Sequence, residues 1–335
     1  MSKSILLALF VTVIIGCSTV SQDAEITRYE FEHPSMGSLF RVVVYANDSV
    51  RISALVEASF QELDSLNMIM SDYLPNSELM QLSRSSGAGE YLKVSKDLKD
   101  ILRLSEYWYS WSGGIFDVTI GPITQLWRRA KRQGKLPSDQ HFERAMSAVG
   151  FEYVKLDPQK EGVLLEKPNM QLDLGGIAKG YAVDQIFDRL NANGYPICLV
   201  DGAGDLRVGE APPDKEGWEI AVQTYVGRDS TLILSNRAVA TSGDFYRSIQ
   251  IDGKTYSHII DPSTGYGITA SRAVTVFAND CTTADVLASV FSVAGPYQSD
   301  LNDKIPNGSQ VMIFEKAGEE TEIFSISTKK PQSDI

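Results

Sequence analysis

Cysteine and histidine are scarce in this chain, three of each in 335 residues, and no Cys/His spacing suggests a zinc site. Positive charge is also in deficit: 31 Lys and Arg stand against 43 Asp and Glu, a net charge of −12. No Lys/Arg cluster stands out in the linear sequence, which argues against nucleic acid as a partner. Residues 29–327 contain no Pro- or Gly-rich linker and no internal repeat, so one interwoven domain is the simplest organisation. The apolar run at residues 5–15 falls well short of the ~20 residues that span a bilayer. What is present is a soluble globular composition, 43% hydrophobic and 22% charged, enough for a substantial core.

The N-terminus reads as a targeting segment. Lys3 precedes the apolar run, and Ile14-Ile15-Gly16-Cys17 has the form of a bacterial lipoprotein cleavage box. The plainer alternative is an ordinary secretory signal in which Cys17 is incidental. Small Gly16 before the cysteine, with a polar tether after it, favours lipidation of Cys17 and export to the periplasmic side of a bacterial membrane. The expected division is a signal and lipobox at 1–17, a tether at 18–27, one domain at 28–328 and a tail at 329–335. Cys198 and Cys281 remain, in an apolar run and before a helix; whether they pair is left open.

Period-2 patterns predict strands at 39–45, 163–166, 218–223, 231–234, 237–241, 248–251, 273–277 and 311–314. Five helices are expected. The first spans 52–68, with Leu55, Phe60, Leu63 and Leu66 on one face. The second is capped by Ser95 and stopped by Gly113-Gly114, and the third opens at Ser138 and ends near Gly150. The fourth starts at Gly175-Gly176 and runs to Gly194; the fifth starts near Thr282-Thr283 and ends by Gly295-Pro296. Helices gather early and strands late, which predicts an α+β fold.

Chemistry concentrates in loops rich in small, hydroxyl and acidic residues. Gln171-Leu172-Asp173-Leu174-Gly175-Gly176-Ile177-Ala178-Lys179-Gly180-Tyr181 reads as a strand, a glycine turn and a helix start. Its glycines allow close backbone approach, and free N–H groups at a helix start attract anions; packing alone would also explain them. Thr241-Ser242-Gly243-Asp244-Phe245-Tyr246 follows a β-branched run. His258-Ile259-Ile260-Asp261-Pro262-Ser263-Thr264-Gly265 puts a histidine beside a turn. Asp285 and Ser289 lie one helical turn apart and are hard oxygen donors suited to Mg²⁺, although an acidic first-turn residue is common for helix-dipole reasons alone.

The order and spacing of these segments resemble the ApbE family, flavin transferases that move the FMN half of FAD onto a protein threonine or serine. The run Ile115-Phe116-Asp117-Val118-Thr119-Ile120-Gly121-Pro122 and the segments around Met36 and Tyr73 carry the likeness further. The resemblance implies an α+β domain of mixed or antiparallel sheet with FAD as substrate and Mg²⁺ as cofactor. It implies cofactor contacts from Met36, Tyr73, Ile115, Phe116, Asp117, Asp173, Lys179 and Ile268. Metal ligands would be the Gly176 carbonyl, Asp285 and Ser289, and the catalytic residues His258 and Asp285. His258 would orient the diphosphate or shuttle a proton. His33 and His141 match no motif and read as surface or structural. Partners would be flavoprotein subunits of membrane redox complexes carrying an acceptor Thr or Ser. An FAD pyrophosphatase or a non-catalytic FAD-binding lipoprotein are the alternatives. Three departures stand out: Val118 for a common proline, Ser289 for a commoner Thr, and Gly202-Ala203-Gly204-Asp205, where one small residue is inserted and the turn has to be rebuilt.

Overall fold

The structure is a computed structural model that describes residues 26–157, 162–222, 230–243, 248–251, 253–317 and 320–327. Cys17 and its flanks, and Asp244-Phe245-Tyr246, lie outside the described residues. The chain opens with a hairpin, β1 (Thr27–Ser35) and β2 (Ser38–Ala46), then runs through α1 (Ser49–Met70), α2 (Glu78–Arg84) and β3 (Leu92–Lys93) into α3 (Lys96–Ser112). Helices α4 (Gly121–Gln133) and α5 (Asp139–Met146) lead to β4 (Val154–Asp157) and β5 (Gly162–Leu165). After α6 (Ala178–Ala192) come β6 (Cys198–Gly202), β7 (Leu206–Val208), β8 (Trp218–Val222), β9 (Ser230–Leu234) and β10 (Arg237–Gly243). The hairpin β11 (Ser248–Ile251) and β12 (Lys254–Ser257), then β13 (Arg272–Ala278), α7 (Cys281–Ala294), α8 (Ser299–Asn302), β14 (Gln310–Ala317) and β15 (Glu320–Ser327) complete it.

The central sheet has the order β1-β2-β6-β7-β10-β13-β14-β15, antiparallel at every pairing. Alternation along each strand divides its side chains between two cores. Phe40, Val42, Val44, Val200, Ala240, Val274 and Val276 join the helices α1, α6 and α7 through Leu63, Ile186, Val286, Leu287 and Val290. On the opposite face Val43, Leu199, Val208, Val239 and Phe277 are covered by Trp218, Ile220 and Val222 of β8. β13, covered on both faces, is buried at all seven residues. A third cluster of Ile123, Trp127, Ala130, Ile251 and Tyr256 fastens α4 to the β11–β12 hairpin.

All eight expected strands and five expected helices are present, in an α+β fold. Side-chain caps set the starts of three helices: Asp48 accepts from Val50 and Arg51, Ser95 from Leu98, and Asp280 from Thr283. α4, α2, β1 and β15 were not expected. β1 (TRYEFEHPS) and β15 (ETEIFSIS) are the outermost strands, and their polar residues mask the alternation. The glycine turn is also less regular than its pattern. Only Gln171 makes a strand-like bridge, to Ile120, and α6 starts at Ala178 after a turn at Gly175–Ile177. Cys198 and Cys281 are both buried and free.

Candidate active site

Where α6 meets α7, Gly180 removes the side chain that would hold the helices apart. A Cβ there would lie 2.6 Å from the Cys281 carbonyl oxygen and 2.9 Å from the Asp285 Cβ. The Gly180 N–H consequently reaches Asp285 Oδ2 at 3.1 Å. Asp184, one turn along α6, accepts from the Cys281 and Thr282 N–H groups at 2.9 and 2.8 Å and from the Thr282 hydroxyl at 2.6 Å, fixing the start of α7. Asp285 therefore stands beside Lys179, which is bound to the buried Asp205.

This cluster has an unbalanced charge. Burial pushes the Asp285 carboxyl up to about 7; Asp205 adds to the push, and Lys179 and the Gly180 N–H oppose it. Asp205 is also raised, by burial that outweighs Lys179. Burial works against the charge on Lys179, but Asp205 and then Asp285 raise its pKa. Ser289 lies one turn beyond Asp285, its Oγ 3.0 Å from where a Gly176 Cβ would stand. A buried carboxylate, a hydroxyl and the Gly176 backbone thus come together, with Lys179 as the cation beside Asp285. The inserted residue before Asp205 is absorbed by left-handed backbone, Ala203 at φ 64° and Gly204 at φ 100°, with Gly204 N–H donating to Asp201 at 2.8 Å.

These residues line one end of a cavity of about 1750 Å³. Met36 enters it from the two-residue turn of the β1–β2 hairpin, where Met36 and Gly37 both take positive φ, 49° and 70°. A non-glycine residue held there carries backbone strain of about 1–3 kcal/mol. Tyr73 also lines the cavity, 74% exposed, with the Arg128 guanidinium 3.9 Å over its ring. Arg128 pairs with Asp72 at 2.6 Å and lies 3.8 Å from Asp173. Burial, then Asp173, raises Asp72, and Arg128 opposes them. Ile115, Phe116 and Asp117 add to the wall; Asp117 accepts from the Thr119 N–H and hydroxyl at 2.8 and 2.7 Å, so it also braces its own turn.

His258 lines the same cavity from the loop after β12. Trp127 of α4 donates from its indole N–H to the Gly265 carbonyl at 2.8 Å and anchors that loop. Ile268 is the one expected cofactor residue that does not line the cavity. Its backbone closes the loop, donating to Ile259 and accepting from Ser257, both at 2.9 Å. His33 bonds to Asp64 and stacks on Phe60, and His141 bonds to Ser138, structural places for both.

The sequence reading passed over the cations of α4. Arg128, Lys131 and Arg132 all line the cavity, although no cluster stands out in the chain-wide charge. Their i, i+3, i+4 spacing marks a single helix face, a signal hidden because α4 itself was not recognised. Asp205 and Asp72 were missed as site residues because only tertiary packing brings them to Lys179 and Arg128.

The ApbE family model matches residues 36–313. The FAD:protein FMN transferase of Haemophilus influenzae is 30% identical over 302 residues, 85% of this chain and 86% of that protein. The FAD:protein FMN transferase of Treponema pallidum is 29% identical over 331 residues, 92% of this chain and 90% of that one. Among solved structures, the flavin transferase ApbE of Vibrio cholerae superposes with a TM-score of 0.80 at 27% identity, covering 92% of this chain and 99% of that chain. The apo form of the Pseudomonas stutzeri flavinyl transferase ApbE gives 0.80 and 27%, covering 90% and 95%.

Proposed function

The chain belongs to the ApbE family, and from that premise we propose that it is an FAD:protein FMN transferase acting on a threonine or serine of a target flavoprotein. The observation that carries this reading is the convergence of Asp285, Ser289 and Gly176 at one end of a cavity that also holds Tyr73, Asp173, Lys179 and His258. In the reaction the acceptor oxygen bonds to the FMN phosphorus of FAD, the anhydride bond to AMP breaks, AMP leaves with the bridging oxygen, and the hydroxyl proton is released.

The donor set fits a hard divalent cation: all three groups offer oxygen, and the Asp285 carboxyl is raised by burial and by the neighbouring Asp205, more than Lys179 offsets. Asp285, Ser289 and the Gly176 carbonyl would hold Mg²⁺, which when bound supplies Lewis-acid polarisation of the diphosphate. Lys179 has its pKa raised above an already high ordinary value, so it stays charged at neutral pH. It can donate to phosphate oxygens and cannot serve as the base. His258 supplies the imidazole that takes the acceptor proton. Tyr73, Met36 and Asp173 bind and orient the FAD, so positioning carries much of the rate.

Exported location and lipid anchoring through Cys17 belong to the same reading, supported by the 14–17 lipobox pattern. The acceptors would then be subunits of membrane redox complexes. Incubation with labelled FAD and an acceptor protein tests the activity. Covalent flavin on the acceptor is the expected outcome; free FMN would make the chain a pyrophosphatase, and unchanged FAD a binding protein.

A further inference from the structure

One wall of the cavity is a strand that carries no cation. Glu219, Ile220, Ala221 and Val222, consecutive in β8, all line it, and no described residue of β9 does. Side chains of a strand alternate between faces. Ile220 and Val222 are buried against the central sheet, whereas Glu219 and Ala221 are exposed on the other side. The surface that all four share is the backbone edge. β9 takes one edge of β8, and among the described residues no strand takes the other. Backbone N–H and C=O groups on such an edge call for partners.

The wall continues in the same style. β10 pairs with β13 as far as Gly243 but with β7 only over Arg237–Val239. Among the described residues no strand pairs with its end on the β7 side, and Thr241, Ser242 and Gly243 also line the cavity. Asp205, Lys179 and Asp285 line the same cavity, so this backbone wall and the charged cluster share one space.

Nothing on this strand answers a diphosphate: β8 and β9 carry no cation, and Glu219 is paired with Lys215 at 2.9 Å; the cations that line the cavity stand on other elements. The volume, about 1750 Å³, exceeds the roughly 300–1,000 Å³ of ordinary small-molecule sites. A transferase needs that surplus, because both substrates must be present together.

We propose that the free edge of β8 at Glu219–Val222 docks the acceptor protein, by pairing with an extended segment of it as an added strand. This rests on the transferase reading above. Four paired residues span about 13 Å, and the segment's own threonine or serine is carried toward the Asp285 end. In such pairing the main-chain hydrogen bonds give affinity, and alternate side chains of the added strand face the protein and give specificity.

The test uses FAD-loaded wild-type protein and a synthetic library of ten-residue peptides with one fixed central threonine, scored by covalent flavin fluorescence. Backbone N-methylation of the best peptide, one position at a time, should lower kcat/KM at least tenfold at alternate positions beside the threonine and spare those between. Ala221→Pro, which removes one backbone N–H from β8, should raise the peptide KM at least tenfold and leave the FAD Kd within twofold. If Ala221→Pro unfolds, the N-methyl scan on the wild type decides alone. Indifference to N-methylation at every position overturns the proposal. A large loss of FAD affinity in Ala221→Pro also overturns it, by giving the edge to the cofactor. Labelling of folded proteins but of no peptide removes strand docking and leaves the transferase standing, whereas failure to bind FAD at all removes both.

Discussion

At Asp285 one carboxylate is pulled between two states. Burial and Asp205 favour its neutral form, and a divalent cation would favour the anion. The anionic ligand should matter far more than the neutral hydroxyl beside it. Asp285→Asn is expected to lower single-turnover FMN transfer by at least ~100-fold, about 2.7 kcal/mol, and Ser289→Ala by about tenfold, partly restored by excess Mg²⁺. Full transfer by Asp285→Asn after exhaustive chelation would sink the metal-assisted route. The two buried thiols give a second prediction. Burial pushes Cys198 up to about 12 and Cys281 well above its ordinary value. At pH 8 the Cys198 thiolate fraction is then roughly one in ten thousand. Iodoacetamide should leave both native thiols unmodified for an hour and label both in urea, as read by intact mass; rapid native labelling would contradict their burial. At this scale the sequence was informative where a motif is contiguous: Asp173, Lys179, His258 and Asp285 all line the cavity. It was silent on Asp205 and Asp72, whose meaning depends on partners 26 residues away at Lys179 and far along the chain at Arg128.

Elements set how tightly those residues are held. Gly180 is the point where α6 and α7 touch, so Gly180→Ala must push a methyl group against the Cys281 carbonyl. Overpacking of this kind costs about 1–3 kcal/mol; a lower Tm is expected, with a loss of transfer larger than the remaining folded fraction explains. Unchanged activity and Tm would mean that the helices are free to separate. Trp127→Phe keeps an aromatic ring in the cluster with Ile123 and Tyr256, and removes the N–H bond to Gly265 together with part of the indole's packing. Loss of that bond costs about 1 kcal/mol, and the His258 loop should loosen, lowering kcat more than FAD affinity. Equal kcat in Trp127→Phe would detach the loop from α4. The helices with long apolar faces and side-chain caps, α1 and α3, were legible from spacing alone. α4 was not, because its first turn carries Pro122 and its last turns are crowded with Arg128, Arg129, Lys131 and Arg132, a pattern that reads as solvated charge.

The whole molecule carries its site on an antiparallel sheet whose α+β class follows from the distribution of helical and strand patterns, while the strand order was beyond them. Pairing of β2 with β6 depends on side-chain fit across about 160 residues of chain, which no local pattern records. Export is the prediction proper to this scale. Labelled palmitate should appear on the wild type and vanish in Cys17→Ser, and a fragment of residues 26–327 should still fold and bind FAD, because the described core begins after the tether. Equal labelling of Cys17→Ser would end the lipoprotein reading. The long β2–β6 closure also has a kinetic consequence. Distant pairings form late, since their loop entropy is lost before contacts repay it. Walls from residues 36 to 293 must all be in place before the cavity exists, so a chain only part folded has nowhere to hold a flavin. Ligand capture and the last folding step are then a single event, and FAD supplied during refolding draws the chain toward its native state by mass action.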